Sequence, residues 1–127
     1  MTEHSIAQLQ EHMASGEMTA RTIAEDYLRR IAEIDQAGPT LNAVIEVNPE
    51  ALDIADRLDR ERARSGPRGP LHGIPVLIKD NIATGDGLRV TAGAYALRDW
   101  RPSRDAFLVT RLREAGAIIL GKTNLSE

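Results

Sequence analysis

A short apolar segment, Ile74 to Ile78, constrains the fold of this chain more than any other feature. Its aliphatic and β-branched residues lie between a glycine-containing turn and a polar tripeptide, a pattern typical of a buried strand in an α/β sheet. Pro75 cannot donate to a strand ladder, so we expect it near the start of the strand. Lys79 then falls at the carboxyl end, where open α/β sheets place their ligand sites.

Lys79 is therefore the first candidate for a functional residue. A lysine shielded from water tends to lose its charge and can then act as a base. The residues alone leave a second interpretation open, in which Lys79 is a solvated charge or pairs with Asp80. Asp80 and Asn81 are suited either to hydrogen bonding around Lys79 or to simple turn formation. Thr123 and Asn124 follow another predicted strand and are candidates for lining the same cleft.

The remaining pattern predicts helices that alternate with strands, hence an α/β fold with a mixed sheet covered by helices. Caps and terminators predict helices over Ser5–Ser15, Thr19–Gln36, Asp105–Ala115 and from Asn48–Pro49 onward. Further strands are predicted over Leu41–Val47, Leu88–Thr91 and Ala117–Leu120. The first strand, the helix after Asn48 and the Lys79 strand have the lengths of a right-handed βαβ unit. We expect Ile74, Val76 and Ile78 on one face of the Lys79 strand, with Leu77 and Lys79 on the other.

Length and composition narrow the function classes. The 127 residues fit one small domain, and 42% of them are hydrophobic. A formal net charge of −3 gives no electrostatic footprint for nucleic acid or for an anionic membrane. The chain has no cysteine, which excludes disulfides and thiolate chemistry. The amino-terminal residues lack the regions of a signal peptide, so we expect a cytoplasmic protein.

Two other patterns suggest ligand sites but are explained better by structural roles of their residues. Residues Gly116 to Thr123 match the phosphate-loop spacing, but the middle of the match is Ala-Ile-Ile-Leu, which predicts a strand rather than an amide-lined turn. Gly116 is better explained as a helix terminator. The histidines show no metal-ligand spacing, and His72 is predicted to be a satisfied or exposed side chain. No metal or cofactor is therefore expected.

The segment RGPLHGIPVLIKDN resembles the region around the catalytic lysine of the amidase signature family. LNAVIEVNPEALDIADRLD before it, and TAGAYAL and DAFLVTRLREAGAIILGKTNLSE after it, extend the resemblance in order from about Ile6 onward. The family hydrolyses amides with a serine nucleophile, a second serine in a cis peptide and a lysine. Lys79 matches that lysine. The resemblance implies the amidase signature fold, a small-molecule amide substrate and no cofactor.

The resemblance also implies that residues 1–127 are the amino-terminal part of an amidase domain. The family's two serines lie beyond the lysine, the nucleophile in a Gly/Ser-rich segment, and no such segment precedes Glu127. We therefore expect the isolated chain to be inactive. An apolar strand left at the open edge after Ala117–Leu120 would favour self-association or pairing with the missing carboxyl-terminal part. Two alternatives stay open: the A-type component of an amidotransferase, which works with partner proteins, and a non-catalytic remnant or interaction module.

Overall fold

Residues 3–126 are described by a computed structural model, in which helices pack on a three-stranded sheet. The α-helices are α1 (Ile6–Ser15), α2 (Ala20–Arg30), α3 (Ala51–Ser65) and α4 (Phe107–Glu114). The strands are β1 (Val44–Val47), β2 (Pro75–Lys79) and β3 (Ile118–Thr123). A π-helical turn, Ile31–Asp35, continues α2, and a short 3₁₀ helix covers Tyr95–Leu97. The predicted α/β class with a mixed sheet is confirmed.

The amino-terminal helices begin and end at the predicted signals. The Ser5 side chain accepts from the backbone N–H of Gln8, and the Gln8 side chain accepts from the Ser5 N–H, which completes a capping box. Gly16 ends α1 with a φ of 78°, in the left-handed region. Thr19 caps α2 in the same reciprocal way, through Thr22.

The third helix begins later than predicted, and its predicted cap has a different task. Regular helix starts at Ala51, after a turn over residues 49–50. Asn48 is buried, and its Oδ1 accepts from the Glu50 N–H at 3.0 Å. Its Nδ2 donates to the carbonyl of Ile119 at 2.8 Å. Asn48 therefore joins the turn to the central strand instead of capping regular helix.

The sheet has the order β1-β3-β2, with β3 antiparallel to β1 and parallel to β2. The predicted βαβ unit is wrong, because β1 and β2 are not neighbours and run in opposite directions. The parallel unit is instead β2-α4-β3. The last strand is also not an edge: β3 is buried from Ile118 to Lys122 and is paired on both sides. The open edges among the described residues belong to β1 and β2.

The segment predicted as a strand over Leu88–Thr91 needs correction, because its backbone is irregular. Leu88 and Val90 are nevertheless buried, which explains the strand-like pattern. The N–H of Arg89 donates to the Glu46 carboxylate and that of Thr91 to the Asp80 carboxylate. Carboxylates therefore take the place of a strand partner at Arg89 and Thr91, whereas the N–H of Val90 donates to the Trp100 carbonyl at 3.1 Å.

The helix α4 covers one face of the sheet with few buried residues. Val109 is its fully buried side chain and packs on the sheet. Phe107 and Leu108 are directed outward, and each is more than half exposed. The inner side of α4 is therefore narrow, and its outer side is partly apolar.

A bulge in β3 determines which β3 residues lie beside the end of β2. Val76 pairs with Ile119 but Leu77 pairs with Gly121, so β3 has one extra residue, Leu120. Beyond the bulge Ile78 pairs with Lys122, and Lys79 pairs with Thr123.

The two faces of the sheet have separate cores. Ile78 and Ile119 pack with Val109 under α4. Ile118 and Leu120 pack in a larger core with α1, α2 and α3. Ile74, before the strand begins, belongs to that larger core, so its predicted placement with Ile78 is wrong. The prediction that Lys79 shares a face with Leu77 agrees with the register.

Candidate functional site

Lys79 is the last residue of β2 and emerges on an incompletely covered face of the sheet. Leu77, two residues earlier on that face, is 40% exposed. The Lys79 side chain is half-buried, and its Nζ donates to the hydroxyl of Ser126 at 3.0 Å. No ion pair joins Lys79 to Asp80 within residues 3–126, so the structure does not support the interpretation in which Lys79 pairs with Asp80. A lysine amine in this position can exchange protons with a hydroxyl group.

Asp80 is buried and directed away from Lys79, toward the segment that follows β2. Its Oδ2 accepts from the Thr91 N–H at 3.1 Å and also from the Thr91 hydroxyl. Its own N–H donates to the Thr123 carbonyl at 3.0 Å, and its carbonyl accepts from the Ala92 N–H at 3.4 Å. Asp80 thus fixes the turn after Lys79 and does not pair with it.

The other predicted site residues lie near the end of the sheet with different degrees of contact. Asn81 is exposed in the turn after Asp80. The Thr123 hydroxyl donates to the Ile78 carbonyl at 3.4 Å, and Thr123 pairs with Lys79 in the sheet. Asn124 is exposed, and its N–H donates to the Ala43 carbonyl at 2.8 Å. The structure therefore places Thr123 beside Lys79, while Asn81 and Asn124 are exposed just beyond the ends of β2 and β3.

Sequence reasoning missed Lys122, the most buried charged side chain in this region. The residue is fully buried in β3, and its Nζ donates to the carbonyls of Ile82 at 2.7 Å and Arg89 at 3.3 Å. Burial lowers the pKa of Lys122, and the negative charges of the nearby carboxylates, led by Asp80, act in the opposite direction. A signal was present, because Lys122 closely follows an apolar run that predicts a buried strand.

The phosphate-loop match is a strand in the structure. Ile118–Thr123 form β3, and Gly116 follows α4 with a φ of 84°. A Cβ atom at Gly116 would lie 3.0 Å from the Cα of His72, which leaves no room for a phosphate group there. The predicted terminator role of Gly116 is confirmed.

His72 is a buried structural residue, in agreement with the first of its two predicted alternatives. Its Nδ1 accepts from the Arg68 N–H at 3.2 Å, and its Nε2 lies 2.9 Å from the Leu58 carbonyl. These partners define a neutral ring with the proton on Nε2.

An apolar pocket of about 390 Å³ opens on the Lys79 face of the sheet, between the end of α2 and the strands. Leu77, Leu120 and Val44 form its floor, and Tyr27 and Ile31 line the helical side. The pocket lies on the same face as Lys79 but nearer to the start of β2.

Comparison with known proteins identifies the family. The family model described as Amidase matches residues 22–127, so this chain belongs to the amidase family. The structure is similar to native peptide amidase from Stenotrophomonas maltophilia, with 53% identity and a TM-score of 0.94 over 99% of this chain and 26% of that chain. The peptide amidase PAM in complex with the competitive inhibitor chymostatin matches with the same values.

A second kind of relative matches the whole chain. The A-type component of glutamyl-tRNA(Gln) amidotransferase from Salinispora tropica is 42% identical over 128 residues, which cover 100% of this chain and 25% of that protein. Across the most similar curated relatives, the chain spans about a fifth to a quarter of their length. No helix within residues 3–126 is both long and apolar enough to span a membrane.

Proposed function

We propose that this chain is the amino-terminal part of a cytoplasmic amide hydrolase in which Lys79 is the catalytic base. The observation that carries the proposal is the placement of the Lys79 amine. It lies at the carboxyl end of β2, on an incompletely covered sheet face, within hydrogen-bonding distance of a hydroxyl group. Membership of the amidase family supports the same role for this residue.

The reaction is acyl transfer to a serine supplied by the remainder of the protein. That serine attacks the amide carbonyl and passes its proton through a second serine to the neutral amine of Lys79. The proton then returns to the leaving nitrogen as the carbon–nitrogen bond breaks. Water hydrolyses the resulting ester and releases a carboxylic acid. The substrate class is a small-molecule carboxamide, and the chain of proton transfers needs no cofactor.

A hybrid enzyme tests this proposal. Residues 1–127 replace the matching segment of the Stenotrophomonas maltophilia peptide amidase, and ammonia release from a peptide amide is measured. We expect an active hybrid in which Lys79→Ala lowers kcat by about 10²- to 10⁴-fold, the usual contribution of a general base. An inactive parent hybrid, or a Lys79→Ala variant with parental kcat, would count against the proposal.

The A-type amidotransferase component is the second candidate, and the similarity to the Salinispora tropica protein over the whole chain favours it. Such a protein would share the Lys79 chemistry but would deliver its ammonia to a partner. Replacing the matching segment of the Salinispora tropica protein by residues 1–127 separates the two candidates. Selective function in that protein, with no function in the peptide amidase, would favour the second. Loss of function in both would favour a non-catalytic interaction module.

A further inference from the structure

We propose that Lys122, Asp80 and Thr91 form a polar network that positions Lys79 for proton transfer, in which Lys122 and Asp80 are each hydrogen-bonded to the segment after β2. This Lys122–Asp80–Thr91 network lies on the face of the sheet opposite Lys79. The inference rests on the proposed function, because it assigns these side chains a role in the action of Lys79. Lys122, Asp80 and Thr91 are positioning residues, since none of them contacts the Lys79 amine.

The first half of the network is the contact between Lys122 and the segment after β2. Lys122 pairs with Ile78 in the sheet, one residue before Lys79, and its side chain is fully buried. Its Nζ donates to two carbonyls of the same segment, those of Ile82 and Arg89. One ammonium on the central strand therefore holds both ends of the stretch between residues 82 and 89. Hydrogen bonds from a charged donor are stronger than neutral ones.

The second half is Asp80, the residue next to Lys79, which is held through both its side chain and its backbone. The Asp80 side chain holds Thr91 through two hydrogen bonds, and its N–H is held by the Thr123 carbonyl. Its other carboxylate oxygen, Oδ1, is buried and has no hydrogen-bond partner among residues 3–126. The negative charge of Asp80 acts on Lys122 and favours the ammonium form of that side chain. The two halves are therefore linked by the segment that both of them hold, residues 80–91, and this charge acts in addition.

The position of the Lys79 amine depends on this support because its own side chain has few contacts. Lys79 is half-buried, and its described polar partner is one serine hydroxyl. The direction in which it leaves the sheet is consequently set by the backbone at residues 79 and 80. Proton transfer requires correct placement, and a displacement of about 1 Å can reduce a rate by about 100-fold. A network that fixes Asp80 and its following segment thus controls the rate through Lys79.

The threonine offers a matched pair of variants in the hybrid enzyme. Thr91→Val is nearly isosteric and removes the hydroxyl that donates to Asp80, whereas Thr91→Ser keeps that hydroxyl. We expect Thr91→Val to lower kcat by about tenfold or more with little change in KM, and Thr91→Ser to retain most of the parental kcat. Lys122→Met, which removes the charge and both donated bonds, is expected to lower kcat further.

A double variant distinguishes positioning from general support of the fold. If Thr91 acts through Lys79, adding Thr91→Val to Lys79→Ala will cause no further loss of kcat. Parental kcat in Thr91→Val, or an equal loss of kcat in the presence and absence of Lys79, would overturn the inference. Both results remain decisive if Lys122→Met fails to fold. Parental activity in Lys79→Ala alone would instead reject the proposed function.

Discussion

Lys79 and Lys122 leave opposite faces of the sheet from adjacent levels of two paired strands. Lys79 lies beside Thr123, and Lys122 lies beside Ile78. The first has a half-buried side chain whose amine lies near a serine hydroxyl, while the second is fully buried and bonded to two carbonyls. The same side-chain chemistry thus has two environments, one suited to proton exchange and one to holding backbone.

Arginine at position 79 tests whether proton exchange is the role of this lysine. A guanidinium keeps its proton under all ordinary conditions, so Lys79→Arg should reduce kcat of the hybrid nearly as much as Lys79→Ala. Because the side chain is half-buried and forms no ion pair with Asp80 within residues 3–126, we expect the melting temperature to change little in either variant. Retained activity in Lys79→Arg would reject the general-base assignment.

The isolated chain of residues 1–127 should have no amidase activity. Acyl transfer needs a nucleophile in addition to a base, and the resemblance to amidases places both serines beyond the lysine, the nucleophile in a Gly/Ser-rich segment. The measurement is hydrolysis of a simple aryl amide by the purified chain, with its Lys79→Ala variant as control. Turnover that disappears in the control would contradict this prediction.

The isolated chain should also self-associate, through edges other than the one expected from the sequence. The unpaired edges of the described sheet belong to β1 and β2, where Ile45 is 41% and Leu77 40% exposed. Exposed apolar residues on an open edge favour strand pairing between molecules. Light scattering during size-exclusion chromatography should reveal concentration-dependent oligomers, which Leu77→Lys should reduce. A monomer at every concentration would show that these edges do not pair.

Substitution of Gly116 should destabilise the hybrid more than substitution of Gly16. Both glycines have a left-handed φ, 84° and 78°. A Cβ atom at Gly16 meets nothing within 4 Å, whereas one at Gly116 would lie 3.0 Å from the Cα and Nδ1 of His72. We expect Gly16→Ala to cost about 1 kcal/mol and Gly116→Ala about 1–3 kcal/mol more. Equal melting temperatures for the two variants would contradict the close packing of Gly116 on His72.

Asp86 should contribute stability that is lost in acid. Burial by itself would raise the pKa of Asp86, but hydrogen bonds, including one of 2.6 Å from Arg113, lower it below the ordinary value of 3.8. A carboxylate with a lowered pKa stabilises the fold above the unfolded-state pKa, and that contribution disappears as the pH falls through the folded-state pKa. Below pH 3.8, the melting temperature of Asp86→Asn should therefore fall less than that of the parent hybrid. The exposed Asp99→Asn serves as control and should follow the parent.

The sequence predicted the helix limits and the main strands well where local signals decide them. Ser5, Thr19 and Gly16 act through bonds and backbone angles within a few residues, so their patterns are sufficient. The segment around Leu88 was assigned wrongly because its alternating burial imitates a strand, while the N–H groups of Arg89 and Thr91 donate to carboxylates that lie elsewhere in the sequence. Lys122 was missed for the same reason, since its two carbonyl partners come from a segment more than 30 residues earlier.

The extra residue in β3 has a consequence for charge. Without Leu120 as a bulge, the pairing of Val76 with Ile119 would continue in step, and Lys79 would lie directly opposite Lys122. Two ammonium groups would then emerge side by side from one face, where like charges on paired strands repel. Buried carbonyls would lose their donor on the other face. A single inserted residue thereby keeps two cations apart and allows one sheet to offer water-facing and interior lysines at neighbouring positions.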